Sequence, residues 1–482
     1  MGLCESTNKN TVSSEPIRKD TLILNNDVLV SNVDGNIDQV YKKIKLLGEG
    51  SYGKVWLVRN EILKKEFALK IIEIRKNDDN KILNEIKILK RLDHPLILKI
   101  IEFHSTGTEY RIITDYCQNG DLYTEINNRR KFSEREASFI IYQVLLAINY
   151  CHKMGIIHRD IKPENIMIER KEASGLIHIK LIDFGVAKIF RKNTINRTFA
   201  GSTPYMAPEV ATADYNEKSD LWSIGVILYV LLVRILPFNN SKEKTQYNTL
   251  NSDYLSLSEN AKDLISKLLK YDATERITAE DALKHHFFNT DDINNIYYLD
   301  YNIVIKLLMN LEKYKSDNII KSTVLAYLIH LNSNIQEYID ASKLFHSLDS
   351  DHDGKLNKND LIIAFVKYFN LSNEQAINKA DQIFKNIDTN KNELIENEEF
   401  IVGCINPEIF YSYDYLKFAF YFFDKNHNGS ISISEIIDKF SETSKLSTKS
   451  KEQLVNMFNQ IDSNKDGCIS FDEFSFFIKA TI

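Results

Sequence analysis

Cysteine is sparse and scattered in this chain. Five occur in 482 residues, at Cys4, Cys117, Cys151, Cys404 and Cys468. None forms a C-x-x-C pair, so neither a disulfide framework nor a zinc site is expected, and a reducing cytoplasm is the natural setting. No block of lysine and arginine points to nucleic acid. The net charge of -6 is small enough to need no acidic tail. No secretory h-region opens the chain. The longest apolar run, LWSIGVILYVLLVRILPF from Leu221, contains Ser223 and Arg234 and ends at Pro237. It falls short of the ~20 apolar residues that a membrane span needs, and reads as a buried helix. A 43% hydrophobic and 27% charged composition is that of a folded, soluble protein, long enough for two or three domains.

What is plentiful is side-chain oxygen at alternate positions of four short stretches: DSDHDGKLNKND from Asp349, DTNKNELIENEE from Asp388, DKNHNGSISISE from Asp424 and DSNKDGCISFDE from Asp462. They start about 36–39 residues apart, an internal repeat. Unpaired, Asp349, Asp351 and Asp353 would repel one another, and a hard cation resolves the conflict. Ca²⁺ takes six to eight oxygens, and an EF-hand loop supplies them from positions 1, 3, 5, 7, 9 and 12. The expected ligands are Asp349, Asp351, Asp353 and Asp360; Asp388, Asn390, Asn392 and Glu399; Asp424, Asn426, Asn428 and Glu435; and Asp462, Asn464, Asp466 and Glu473. Position 7 adds the backbone carbonyls of Lys355, Leu394, Ser430 and Cys468. Leu356, Ile395, Ile431 and Ile469 fall at position 8, where paired loops form a short β-bridge.

The loops are unequal. Asp360 closes the first loop with a side chain one methylene shorter than Glu. The second has Glu393 at position 6, where Gly is usual, and a left-handed residue with a Cβ costs about 1 kcal/mol or more. It is therefore the impaired candidate. The third is lightly charged, with Asp424 and Glu435 as its carboxylates, and the fourth is the most regular. Three or four bound Ca²⁺ are expected.

The N-terminal MGLCES fits M-G-x-x-x-[ST], with Gly2 as a myristoylation site and Cys4 beside it for palmitate. Two acyl chains anchor stably where one does not, so the cytoplasmic face of a membrane is the expected location. Residues 7–38 read as a flexible tether.

Between residues 41 and 288 runs an ordered series of motifs. LGEGSYGKV (Leu47–Val55) holds Gly48, Gly50 and Gly53 where backbone amides can close over phosphates. FALK follows with Ala68 and Lys70, then NKILNEIKILK with Glu85 at helical spacing. A Lys–Glu pair can hold the lysine against a nucleotide's phosphates; taken alone, it is an ordinary surface salt bridge. Next come IIHRDIKPEN with His158, Arg159, Asp160, Lys162 and Asn165, LIDFG with Asp183, and MAPE with Glu209. This order resembles the eukaryotic protein kinases. Followed by four EF-hand loops, it resembles the calcium-dependent protein kinases of plants, apicomplexans and ciliates, over roughly 440 residues.

That resemblance implies an α+β, bilobal kinase fold followed by an all-α calmodulin-like domain of two EF-hand pairs. The expected divisions are an acylated segment (1–40), a kinase domain (41–288), an autoinhibitory junction (289–335) and a calcium domain (336–482). It implies ATP, Mg²⁺ and Ca²⁺ as cofactors and Ser/Thr protein substrates, since Lys162 in HRDIKPEN is the Ser/Thr pattern. By the same resemblance Asp160 orients the substrate hydroxyl, Lys162 neutralises the transferred phosphoryl group, and Asn165 and Asp183 hold Mg²⁺. Asp115–Cys117 form the adenine hinge behind Thr114. Asp121 meets the ribose or, with Glu164, an arginine of the substrate, unless both are simply solvated. Thr198 is the expected activating phosphosite, and Ser202 bonds Asp160 and Lys162. Asp220 and Arg276 are structural anchors, the latter paired with Glu209.

The junction VIKLLMNLEKYKSDNIIKSTVLAYLIHLNS from Val304 reads as a helix anchored by Ile305, Leu308, Met309, Ile319, Ile320, Val324 and Leu328. In the family it represses the kinase when calcium is low, and Lys313 or Lys315 would then lie nearest the catalytic residues. A monomer is expected. Two rivals remain at this point: a constitutive kinase whose EF-hands buffer or dock, and a non-catalytic calcium-sensing scaffold.

Overall fold

The computed structural model describes residues 29–30, 37–50, 53–74, 79–129, 131–189, 204–212, 216–238, 251–294, 296–315, 318–333, 335–388, 391–441 and 446–480. Gly2, Cys4, Thr198, Ser202 and Asn390 lie outside the described residues.

Five antiparallel strands form the first lobe: β1 (Tyr41–Gly50), β2 (Gly53–Asn60), β3 (Glu66–Glu73), β4 (Ile100–Ser105) and β5 (Glu109–Asp115), in the order β1-β2-β3-β5-β4. Strand side chains alternate between faces. The register places Lys70 between Val55 and Ile112, and Ala68 opposite Thr114, on one face. Helix α1 (Asp79–Arg91) packs there through Ile82, Ile86 and Leu89, with Ile72 and Ile112 beneath. The opposite face carries Phe67, Leu69, Ile101 and Ile113, none more than 1% exposed. Burial that complete on a sheet's outer face requires a second layer.

The second lobe is built on α2 (Glu134–Lys153), started by the Ser133/Glu136 capping box, and on α3 (Lys218–Val233), which is the long apolar run. The run ends as a helix where Arg234 turns left-handed at φ 67°. Among the described residues no helix is long and apolar enough to cross a membrane.

The junction is not one helix. It breaks into α4 (Tyr301–Lys313) and α5 (Ile319–Leu331). Tyr314 closes α4 in an extended conformation, and the Asn318 side chain starts α5 by accepting the Ile320 N–H at 2.9 Å. Asparagine favours such a cap over a helix interior. α4 buries Val304, Leu307, Leu308 and Leu311. Of the anchors expected on it only Leu308 is buried; Ile305 is half-exposed and Met309 is 41% exposed, because the apolar stripe is centred one position round the helix. α5 is apolar on every side and buries all its residues except the half-buried Lys321. A helix apolar all round needs cover on two flanks. One continuous apolar cluster supplies it, running from Phe67, Leu69, Ile101 and Ile113 through α5 into the C-terminal helices.

Beyond residue 335, helix–loop–helix units follow at each acidic loop. Leu356 bridges Ile395, and Ile431 bridges Ile469, so the loops join in two pairs. In the first and fourth loops, position 9 is the N-cap of the exiting helix and position 12 its third residue: Asn357 with Asp360, and Ser470 with Glu473, form capping boxes. The terminal carboxylate of each loop thus also starts the next helix. The whole is α+β: a β-sheet lobe and a helical lobe, then two pairs of helix–loop–helix units.

Candidate active site and calcium loops

The catalytic groups converge between the lobes. Lys70 Nζ lies 2.9 Å from Glu85 Oε1, joining β3 to α1. Lys162 Nζ is 2.7 Å from Asp160 Oδ2, and Asn165 Nδ2 donates to the Asp160 carbonyl at 2.8 Å and its carboxylate at 3.1 Å. These bonds hold the Asp160 carboxylate in place as an acceptor. Asp183 sits left-handed at φ 65° and accepts the Gly185 N–H at 3.2 Å. Such strain persists where surrounding structure over-determines it, and it clusters at active sites. The scaffold beneath is Asp220, which accepts the N–H groups of His158 and Arg159 at 3.0 and 2.9 Å. Burial pushes its carboxyl up, but the His152 ring and these N–H groups hold it below the usual range. Arg276 is fully buried and grips Glu209 with its two terminal guanidinium nitrogens, at 2.6 and 3.0 Å.

The glycine turn fits a nucleotide. Gly53 has φ 130°, and a Cβ there would meet the Ile71 carbonyl at 2.0 Å, so only glycine is possible. At Gly48 no protein atom lies within 4 Å of such a Cβ, leaving open the side on which phosphates would lie. Leu47 is exposed, and Val55, Ala68 and Thr114 are partly open on the nucleotide face. Cys117 is buried, and burial raises its thiol to about 12, so it acts as wall rather than nucleophile. Two residues expected at the nucleotide site have further duties. Asp121 caps a helix by accepting the Thr124 N–H at 2.7 Å. Asp115 turns its carboxylate away to Ser333, described below. Asp183 and Asn165 are the residues that would hold Mg²⁺, which would supply charge to align the ATP phosphates; Asp160 would accept the substrate hydroxyl and Lys162 would screen charge.

In the first calcium loop one oxygen each of Asp349, Asp351 and Asp353 lie within 4.8 Å of one another, a cradle fit for one cation. Asp349 accepts the Asp353 and Gly354 N–H groups at 3.2 and 2.9 Å. The second loop copies this fold: Asp388 accepts from Asn392 and Glu393 at 3.1 and 2.9 Å, with Glu393 forced to φ 62°. In the third, Asp424 accepts from Asn428 and Gly429 at 3.1 and 3.0 Å, and Glu435 is tied to Ser432 at 2.7 Å. In the fourth, Glu473 is held by Ser463, Asn464 and Ser470. The Ser470 N–H above all holds its carboxyl down to about 2.

The C-terminal half docks on the outer face of the five-stranded sheet. Tyr327 of α5 stacks on Phe422 at 4.0 Å and donates to Glu102 of β4 at 3.1 Å. His330 lies between the Ile100 carbonyl, 2.8 Å away, and Glu398, 3.2 Å away. Glu398 also takes Lys99 at 2.8 Å, and Asn397 meets Asp93 at 3.3 Å. The first calcium loop rests on α2, where Asn149 donates to the His352 carbonyl at 3.3 Å and Lys153 to that of Asp351. α4 instead belongs to the first EF-hand pair, through Asn310 on the Cys404 carbonyl (2.8 Å) and Glu312 with Lys379. Lys313 and Lys315 are exposed at its end. Sequence reasoning missed Lys65, Asp93, Lys99, Glu102, His330, Ser333 and Glu398, which carry no motif. Asn318, a cap residue before an apolar run, was readable.

Residues 41–288 match the protein kinase domain family, and residues 340–403 and 413–479 match the EF-hand domain pair. Calcium-dependent protein kinase 4 of Plasmodium falciparum (isolate 3D7) is 34% identical over 98% of this chain and 91% of its own length. A protein of the same name from Plasmodium berghei (strain Anka) is 34% identical over 97% and 90%. Calcium-dependent protein kinase 5 of P. falciparum is 32% identical over 95% and 80%. This chain belongs to that family: it is a calcium-activated serine/threonine protein kinase that uses ATP with Mg²⁺ and reads Ca²⁺ through its EF-hands.

Proposed function

We propose that the docked arrangement is the calcium-loaded, working form, and that without Ca²⁺ the segment from about residue 300 to 332 leaves the sheet and blocks the substrate site. The observation that carries this is the position of α5, clamped between Phe422 and the outer sheet face with its contacts behind the cleft. An occluding role then requires undocking, and calcium is the ligand whose loops border both flanks of the dock. Amide exchange tests it. Protection at Ile319–Leu331 and at Phe67–Leu69 should rise together when Ca²⁺ is added to the full chain. Equal protection in EGTA would overturn the reading.

Substrates are read through a basic residue N-terminal to the target Ser/Thr. Glu164 is exposed on the turn that carries Asp160 and Asn165, while Asp121 is committed in part to its helix cap. Replacing the arginine of a peptide substrate with alanine should raise KM about tenfold; unchanged KM would contradict the assignment. The enzyme acts as a monomer at the cytoplasmic face of a membrane, held by acyl chains at Gly2 and Cys4. Gly2→Ala should release it to the soluble fraction.

A further inference from the structure

We propose that the C-terminal end of α5 and the turn after it set the adenine hinge, with Ser333 as the positioning residue for ATP. The inference rests on the reading above that docking is the calcium-loaded state.

Ser333 Oγ lies 3.0 and 3.2 Å from the two carboxylate oxygens of Asp115. Two neighbours tighten the same spot. Lys65 Nζ donates to the Leu331 carbonyl at 2.6 Å and stands 4.0 Å from Asp115 Oδ1. That carbonyl is one the helix cannot satisfy itself, at the negative end of its dipole, so a cation belongs there. His330 grips the Ile100 carbonyl at 2.8 Å, and Ile100 pairs with Thr114. The end of α5 and the turn after it therefore hold β4 at Ile100, the end of β5 at Asp115, and Lys65 just before β3.

Asp115 is where this hold becomes functional. It is the last residue of β5, opposite Phe67. Its N–H donates to the Lys99 carbonyl at 3.3 Å, and its own carbonyl takes the Thr114 hydroxyl at 3.3 Å. The backbone that faces adenine is thus continuous with a side chain tied to the regulatory half. When α5 leaves, the Ser333 bond is lost and the Asp115 carboxylate is free to turn toward water. Its backbone then needs reordering each time ATP binds. Calcium accordingly acts on nucleotide affinity as well as on access for substrate.

The test uses the full chain with MgATP. Losing a hydrogen bond to a carboxylate is expected to raise KM for ATP about fivefold in Ser333→Ala at saturating Ca²⁺. The kcat and the peptide KM should stay at wild-type values, the half-activating calcium should rise by no more than the same few-fold because a docked-state bond is lost, and Ser333→Thr should restore the ATP KM. Direct binding of a non-hydrolysable ATP analogue to the wild type should be about fivefold tighter in Ca²⁺ than in EGTA, a difference absent in Ser333→Ala. Asp115→Asn, which keeps shape and removes charge, provides a second variant and should also weaken ATP. A wild-type ATP KM in Ser333→Ala, or a loss spread equally over kcat and peptide KM, overturns the proposal. A wild type that calcium does not activate would instead overturn the docking reading itself.

Discussion

At the scale of single residues, charge placement decides both halves of the enzyme. Asp160 is held by Lys162 and Asn165 at 2.7 and 3.1 Å, so Asp160→Asn should lower kcat by ~10²–10⁴-fold while calorimetry shows unchanged Ca²⁺ stoichiometry. The first calcium loop has a different sensitivity. Burial lifts the Asp349 carboxyl from 3.8 to about 7, with Asp353 adding to it and the Gly354 N–H opposing. Below that pH the carboxyl keeps a proton which Ca²⁺ must displace. Affinity at this loop should therefore fall as pH drops through about 7, with proton release on binding. The fourth loop, whose Glu473 stays ionised down to about 2, should hold its affinity. Calorimetry at successive pH values should separate one weakening class of sites from the rest. These residues were legible in the sequence because each sits in a local motif: HRDIKPEN, DFG and the alternating oxygens of the loops. Lys65, Ser333, Lys99 and Glu398 were not. They pair across 218 to 299 positions of chain, as in Ser333 with Asp115 and Lys99 with Glu398, and nothing local marks them.

Elements carry the coupling. α5 is a short helix with no exposed apolar stripe to advertise a partner; its apolar residues read as helical, but its enclosure on both flanks depends on the sheet behind it. The break before it is marked in the sequence by the polar run Lys315–Asn318, with Asn318 as the cap residue. Tyr327→Ala removes a stacked ring and the bond to Glu102, and should cost ~3–5 kcal/mol of docked-state stability. The measured result should be a right-shifted calcium activation curve with kcat retained at saturation. The second calcium loop adopts the same turn as its neighbours despite Glu393, at the expense of a left-handed residue. Glu393→Gly should relieve about 1 kcal/mol and tighten that site roughly fivefold, seen as a shift of one calorimetric transition. An unchanged isotherm would mean that the missing glycine is not what limits it.

The molecule as a whole is one kinase with a regulatory half that both covers and supports it. Phe67, Leu69, Ile101 and Ile113 are buried in one apolar cluster with α5 and the EF-hand helices, joined by Ile37 and Tyr41; each buried apolar side chain is worth ~1.5–3 kcal/mol. Truncation near residue 298 should thus do two things at once. Activity in EGTA should exceed that of the full chain, because the repressing segment is gone, yet stay below the full chain in Ca²⁺, because the sheet has lost its cover. Thermal unfolding of the fragment should fall below that of the calcium-loaded enzyme. Domain order and cofactors were legible from sequence; the side of the kinase on which the calcium half rests was not, since it depends on packing between two surfaces that are each ordinary alone.

The most direct test of this account is the activity of the full-length chain on an arginine-containing Ser/Thr peptide, titrated from EGTA to saturating Ca²⁺. A steep rise from a low baseline, abolished by Asp160→Asn, is the predicted result. Activity already at its maximum in EGTA would contradict the claim that the four loops switch the catalytic site.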